Sequence, residues 1–341
     1  MHNHLKVKLS QATSAITKAI RAGLVAFLHG SPGCGKSQAI HEIANNFNLK
    51  IIDLRLSQCD PTDLQGYPQI INSKATYIPM DTFPLDTDPI PEGFSGWLLF
   101  LDEMNSAPAA VQSAAYKIVL DKAIGQKKLH KNVAIVCAGN LETDNAIVES
   151  MSTALQSRLV HLELDVCSKE WVVWATAKGF DHRITSFVQF KPSNLFTFQP
   201  DHSDKTYACP RTWEFANKLI KICDEGDDDL LPLLAGTLSE GVARELLIFF
   251  KIYKELPNVA DIEKNPHNIA VSEEPSVLFA MCGALATNMN KTNISNLMTY
   301  IKRIPVEFQV ICLHEAARRH KELLTHPVMH EWIATTSTEI F

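Results

Sequence analysis

Gly30-Ser31-Pro32-Gly33-Cys34-Gly35-Lys36-Ser37 is the stretch that decides the fold of this chain. It satisfies the pattern G-x-x-x-x-G-K-[ST], and its flanks supply the context that the pattern needs. Ahead of it, Leu24-Val25-Ala26-Phe27-Leu28-His29 is a short apolar run, which predicts a buried strand. Behind it, Ile40, Ile43 and Ala44 share one face, which predicts a helix from Ser37 onward. A strand, a glycine loop and a helix start aim main-chain N–H groups at one point, where the helix dipole adds partial positive charge. Gly30, Gly33 and Gly35 accept main-chain angles that a Cβ would obstruct. In such a loop Lys36 reaches the outer phosphates of a nucleotide, and the Ser37 hydroxyl ligates Mg²⁺.

The same alternation continues downstream. Strands are expected at Lys50–Leu56, Trp97–Leu101, Val133–Ala138 and Leu159–Leu164, with helices at about Ser10–Arg21 and Ala107–Leu120. Strands alternating with helices imply a parallel sheet covered on both faces. Polar residues at the strand ends place a site at the carboxyl edge of that sheet. Asp102-Glu103 ends the third strand. Asp102 would bind Mg²⁺ directly or through its water, and Glu103 would polarise an attacking water as general base. Asn140 ends the next strand, where an amide can hold that water or the γ-phosphate. Between these strands, Tyr67–Ile71 and Ala75–Pro79 flank Asn72-Ser73-Lys74, which predicts a hairpin within 66–80. Asp81–Pro91 reads as a loop. Lys127, Lys128, His130 and Lys131 form a basic turn, read as a solvated loop tip or a contact for polyanions.

The character changes after Cys167. Helices are expected at about Lys169–Lys178, Pro210–Asp224, Glu240–Glu255, Pro275–Asn288 and Val306–Lys321. Two domains follow, 1–167 and 168–341. Asp227-Asp228-Asp229 lacks the glycine and closing glutamate of a calcium loop and reads as a solvated turn.

A net charge of −6 over 341 residues gives no global field for nucleic acid, although a local basic pore is compatible with it. No apolar run is long enough to span a bilayer, and the first residues lack a signal-peptide core, so a cytoplasmic protein is expected. The eight cysteines contain no C-x-x-C pair and read as free thiols of a reducing compartment. Cys34, inside the glycine loop, is either a small tolerated residue or an oxidation-sensitive one.

Taken together, several motifs resemble the AAA+ ATPases, specifically the MoxR-like and dynein-related group with an insertion in the second helix. They are the glycine loop, Asp63-Leu64-Gln65-Gly66, Leu98-Leu99-Phe100-Leu101-Asp102-Glu103-Met104-Asn105, Val111-Gln112, Ala138-Gly139-Asn140, Ser157-Arg158 and Pro210-Arg211-Thr212-Trp213-Glu214. The resemblance covers roughly Ser10 to Ile220. It implies an α/β P-loop NTPase core with a five-stranded parallel sheet and an all-helical C-terminal lid. It implies ATP and Mg²⁺ as cofactors. Asn140 is similar to sensor 1 and Arg211 to sensor 2. Arg158 is similar to the arginine finger, which acts on the ATP of a neighbouring subunit, so the family implies a homo-oligomer, a hexameric ring. Some relatives carry paired arginines near the finger; only Arg158 is present here. The hairpin resembles the helix-2 insertion that faces the central pore, where Tyr67, Ile70, Ile71 and Tyr77 would grip a protein client. MoxR-like proteins commonly act with a von Willebrand A-type partner. The main expectation is therefore a ring-forming ATPase that remodels a protein. A nucleic-acid motor and a slowly hydrolysing scaffold are the alternatives, and the glycine loop does not distinguish ATP from GTP.

Overall fold

The computed structural model describes residues 5–144, 151–201, 204–224 and 226–340. Its main internal division falls between Cys167 and Ser168. The first unit runs β1 (Lys6–Val7), α1 (Leu9–Arg21), β2 (Val25–His29), α2 (Lys36–Asn46), β3 (Leu49–Arg55) and α3 (Pro61–Gln65). It continues with β4 (Tyr67–Ile71), β5 (Lys74–Ile78), β6 (Gly96–Asp102), α4 (Ala109–Asp121), β7 (Ala123–Ile124) and β8 (Lys127–Lys128). It ends with β9 (Val133–Gly139), α5 (Thr153–Gln156) and β10 (Leu159–Leu164).

Six strands form one sheet in the order β1-β10-β2-β9-β6-β3, and all its pairings are parallel. The five expected strands are present. The sixth, β1, is a correction to the count. It has two residues, too few for a hydrophobic period to register, and Lys6 ties it to Glu163 of β10 at 3.5 Å. The middle strands β2, β9 and β6 are apolar almost throughout and buried, as a sheet covered on both faces requires. Phe27, Leu99, Leu101 and Ile135 from these strands pack with Val111, Ala115 and Ile118 of α4 in one core. Register then fixes the edge: His29 pairs with Gly139, Leu101 with Cys137, and Arg55 with Asp102. The chain segments leaving β2, β6, β9 and β3 are thereby side by side.

Two hairpins stand apart from the sheet. In the β4–β5 hairpin the turn residues Asn72 and Ser73 have φ of 51° and 62°. That is the left-handed pair favoured by a two-residue hairpin turn. The basic turn is itself a short hairpin, β7–β8, with Ile124 opposite Lys127. His130 does not join its lysines. Its Nδ1 accepts the Asn132 N–H at 3.0 Å, and its ring lies edge-on to Trp97 at 5.1 Å.

The second unit is helical: α6 (Ser168–Ala177), α7 (His182–Phe190), α8 (Pro210–Ile220), α9 (Leu230–Leu238) and α10 (Glu240–Glu255). They are followed by α11 (Val259–Lys264), α12 (Pro275–Asn288), α13 (Ile294–Ile301), α14 (Val306–Arg319) and α15 (Pro327–Ile340). α8 stops at Ile220, short of the expected Asp224, and the Ile222 N–H bonds three residues back to the Leu219 carbonyl in a tightened last turn. α7, α9, α11, α13 and α15 are additions to the expected set. The Asp227–Asp229 turn is exposed and leads into α9, where acidic residues suit the helix N-terminus. Leu285, Leu297, Ile301 and Leu313 anchor a core among α12, α13 and α14. Among the described residues no helix is long and apolar enough to cross a membrane. The cysteines are free thiols.

Candidate active site

The glycine loop leaves β2 at His29 and enters α2 at Lys36, with Gly35 at φ +105°, an angle that admits glycine and strains other residues. Lys36 is 9% exposed. Its ammonium donates to the Gly30 carbonyl at 2.5 Å, the Ser31 carbonyl at 3.2 Å and Asn140 Oδ1 at 3.1 Å. All three acceptors are uncharged. Its hydrogen bonds all go to dipoles, with the Asp144 carboxylate acting on it through space, and an anion placed on the ammonium has a large electrostatic gain available. Gly30, Ser31, Pro32, Gly33, Cys34, Gly35, Lys36 and Ser37 thus sit together as one loop. Cys34 fills space in it: it is 7% exposed, and its Sγ would lie 2.8 Å from a Cβ on Gly30. A small tolerated residue accounts for that placement.

Ser37 Oγ donates to Asp102 Oδ2 at 3.2 Å. A hydroxyl and a carboxylate oxygen in contact beside a phosphate loop are the hard donor set that suits Mg²⁺, so the residues fit that ion. Glu103 follows in a left-handed conformation, φ 54°. Its N–H donates to Asp102 Oδ1 at 2.8 Å, and its Oε2 accepts a short hydrogen bond from the Ser57 hydroxyl. Ser57 lies in the single turn Leu56–Gln58 just past β3, brought there by the pairing of Arg55 with Asp102. Sequence reasoning missed it, since a lone serine in a turn has no pattern and only strand register reveals its neighbour.

Asn140 stands one residue past β9. Its side chain meets Lys36, and its main chain is bonded at both N–H and C=O by the side chain of Asn105. Asp144, a second residue missed in the sequence, accepts the Ser31 hydroxyl at 3.2 Å and is 7% exposed. Burial pushes its carboxyl pKa up, against the lowering effects of that hydrogen bond and of Lys36. Burial and the charge of Asp102 likewise raise Asp53 on β3.

The structure therefore brings Lys36, Ser37, Asp102, Glu103 and Asn140 to one edge. Arg158 is elsewhere in its contacts. It is exposed, with Nη1 on the Ala154 carbonyl at 2.6 Å and the guanidinium 5.7 Å from the Tyr116 ring centroid. Arg211 lies in the first turn of α8 in the helical unit, also exposed. On the β4–β5 hairpin, Tyr67, Ile70, Ile71 and Tyr77 are 52%, 82%, 48% and 40% exposed. Lys127, Lys128 and Lys131 are exposed too.

Residues 26–163 match the model of the ATPase family associated with various cellular activities (AAA), so the chain carries an AAA domain there. That span includes the glycine loop, Asp102-Glu103, Asn140 and Arg158. No curated protein matches the chain. Among solved structures, NtrX from Brucella abortus is 14% identical with a TM-score of 0.42, covering 92% of this chain and 69% of that one. The RuvB Holliday junction branch migration motor of Thermotoga maritima is 17% identical with a TM-score of 0.40, covering 86% of each chain. Neither likeness is strong enough to speak for this chain's activity.

Proposed function

We propose that the AAA domain at residues 26–163 hydrolyses ATP with Mg²⁺ as one subunit of a homo-oligomeric, hexameric ring, and that the ring remodels a protein partner in the manner of the MoxR-like, helix-2-insert group. The observation that carries the hydrolytic reading is the meeting of residues far apart in sequence in three polar pairs: Lys36 with Asn140, Ser37 with Asp102, and Ser57 with Glu103. Lys36 exchanges its carbonyl partners for the β- and γ-phosphates. Ser37 and Asp102 hold Mg²⁺, which supplies charge neutralisation on the phosphate oxygens when bound. Glu103, released from Ser57, takes a proton from water as the water oxygen bonds to the γ-phosphorus and the bond to the ADP oxygen breaks. Asn140 orients that water or the γ-phosphate.

Arg158 suits a role in trans, because it is exposed and its own contacts are a carbonyl and a ring. Arg211, in the helical unit, takes the sensor 2 role. A trans arginine adds about 10³–10⁵ in rate, about 4–7 kcal/mol of barrier, so isolated subunits bind nucleotide and barely turn it over. The exposed Tyr67, Ile70, Ile71 and Tyr77 contact the client, with a von Willebrand A-type protein as a natural partner, in the cytoplasm. The test mixes two inactive subunits, Lys36→Ala, which lacks the phosphate anchor, and Arg158→Ala, which lacks the finger. Activity that returns on mixing supports the shared site; a mixture as inactive as its components refutes it.

The exposed lysines 127, 128 and 131 favour a second reading, a nucleic-acid motor. Stimulation of ATP hydrolysis by duplex or single-stranded DNA, rather than by candidate proteins, would select it. Parallel assays with GTP settle the base.

A further inference from the structure

Asn105 is a buried amide at the sheet edge bonded at both its oxygen and its nitrogen, and the hydrolytic scheme gives it no task. It is 2% exposed. Its Nδ2 donates to the Asn140 carbonyl at 2.8 Å, and its Oδ1 accepts the Asn140 N–H at 3.1 Å. Asn140 lies beyond the last residue of β9, so its main-chain donor and acceptor fall outside the sheet ladder. Buried main-chain groups need partners. One carboxamide supplies both, a donor and an acceptor on adjacent atoms. Aspartate offers two acceptors and leucine offers neither.

Two backbone features make room for this contact. Glu103, at φ 54°, turns the chain out of β6, and the single turn Met104–Ser106 points Asn105 across to β9. Gly139 then leaves the amide its space, since a Cβ there would sit 2.1 Å from Asn105 Oδ1. The same residue, Asn140, presents its side-chain oxygen to Lys36 at 3.1 Å. A continuous path therefore runs from the Asp102-Glu103 strand end, through Asn105, through the main chain of Asn140, to the ammonium of the phosphate loop.

We propose that Asn105 is the positioning residue of this site: its carboxamide fixes the main chain of Asn140 and so sets where the Asn140 amide meets Lys36 and the γ-phosphate. Asn105 touches neither nucleotide nor water. It acts through Asn140, and it locks Asn140 to the strand end that carries Asp102 and Glu103. This rests on the reading of Asn140 as the γ-phosphate sensor. The consequence is a loss in turnover with little change in ground-state binding.

The experiment is a double-mutant cycle on Mg-ATP turnover with wild type, Asn105→Ala, Asn140→Ala and the double variant, with binding of a fluorescent ATP analogue measured on each. Asn105→Ala is expected to lower kcat at least tenfold with KM and analogue affinity within about twofold of wild type. In the Asn140→Ala background it is expected to change kcat by less than about twofold. Effects that multiply in the double variant overturn the proposal, as does an unchanged kcat in Asn105→Ala. Wild-type turnover in Asn140→Ala overturns the sensor reading beneath it, which is a separate outcome. Asn105→Asp guards against a folding defect, because it keeps the side-chain size and the acceptor for the Asn140 N–H. Its second oxygen faces the Asn140 carbonyl unless protonated, and burial favours the protonated form. Protonated, it restores the donor as well as the acceptor, so its kcat at pH 6 is expected to exceed that of Asn105→Ala; a kcat no higher than that of Asn105→Ala contradicts the proposal.

Discussion

Lys36 and Glu315 are both buried charges, and they are held in opposite ways. Glu315, in α14 of the helical unit, is 1% exposed and meets Arg319 at 2.7 Å, with Thr185 and Gln189 donating to its carboxylate. Asp181 and Arg183 close a second pair at 2.8 Å. Each charge there has its counter-charge inside the chain. At the sheet edge Lys36 donates to two carbonyls and an amide and Glu103 accepts from a hydroxyl; away from that edge, Arg158 meets a carbonyl and a ring. A closed pair supports the fold. A charge hydrogen-bonded only to neutral groups is left available for a ligand, a proton or another subunit. Substitutions in the open set should remove activity and keep the fold; those in the closed set should do the reverse.

The largest effect belongs to Arg158→Ala. Its turnover in the assembled state should fall by about 10³–10⁵, with the melting temperature within a few degrees of wild type. A large loss of melting temperature instead would move Arg158 into the closed set. Glu103→Gln should lower kcat by about 10²–10⁴ while retaining nucleotide, read by steady-state kinetics beside equilibrium binding. Glu315→Ala leaves Arg319 without its buried partner and should cost about 3–5 kcal/mol in urea unfolding, with unchanged turnover per folded molecule. If that variant unfolds as wild type does, the contrast between the two regions fails.

A smaller effect depends on pH. Burial pushes His182 down to about 4, against the raising influence of Asp181 and with further lowering by Arg319 and Arg183. Its folded value thus lies below its unfolded value near 6.5, so the folded state resists protonation. The stability this maintains is complete above pH 6.5 and is lost as pH falls toward 4. Urea melts at pH 7 and pH 5 should show the loss in wild type and a reduced slope in His182→Gln.

The two regions also differ in how far the sequence disclosed them. The buried strands β2, β6 and β9 are uninterrupted apolar runs ending in polar residues, so their place and the residues at their tips were legible. Asp102, Glu103 and Asn140 followed from those strand ends once they were read together with the glycine loop and the family resemblance. Ser57 and Asn105 did not, because their partners are set by strand register and by the turn at Glu103, which no period in the chain encodes. β1 was too short to register. In the helical unit, α7 escaped notice although Asp181 caps it by accepting the Arg183 N–H at 2.8 Å. A single capping acid before a nine-residue helix is a weak signal beside the long apolar faces of α10 and α12. The pairing of Glu315 with Arg319 has helical spacing, but its burial depends on α7, which supplies Thr185 and Gln189.

The loop that holds Lys36 by two carbonyls and an amide is the proposed seat of a nucleotide's phosphates. Thermal melting of wild type, Lys36→Ala and Glu103→Gln with and without saturating Mg-ATP reads whether nucleotide binds there. A ligand at a hundred times its dissociation constant stabilises by about 2.7 kcal/mol, enough to move the midpoint by several degrees. That shift is expected in wild type and Glu103→Gln and should be absent in Lys36→Ala. An equal shift in Lys36→Ala would contradict it.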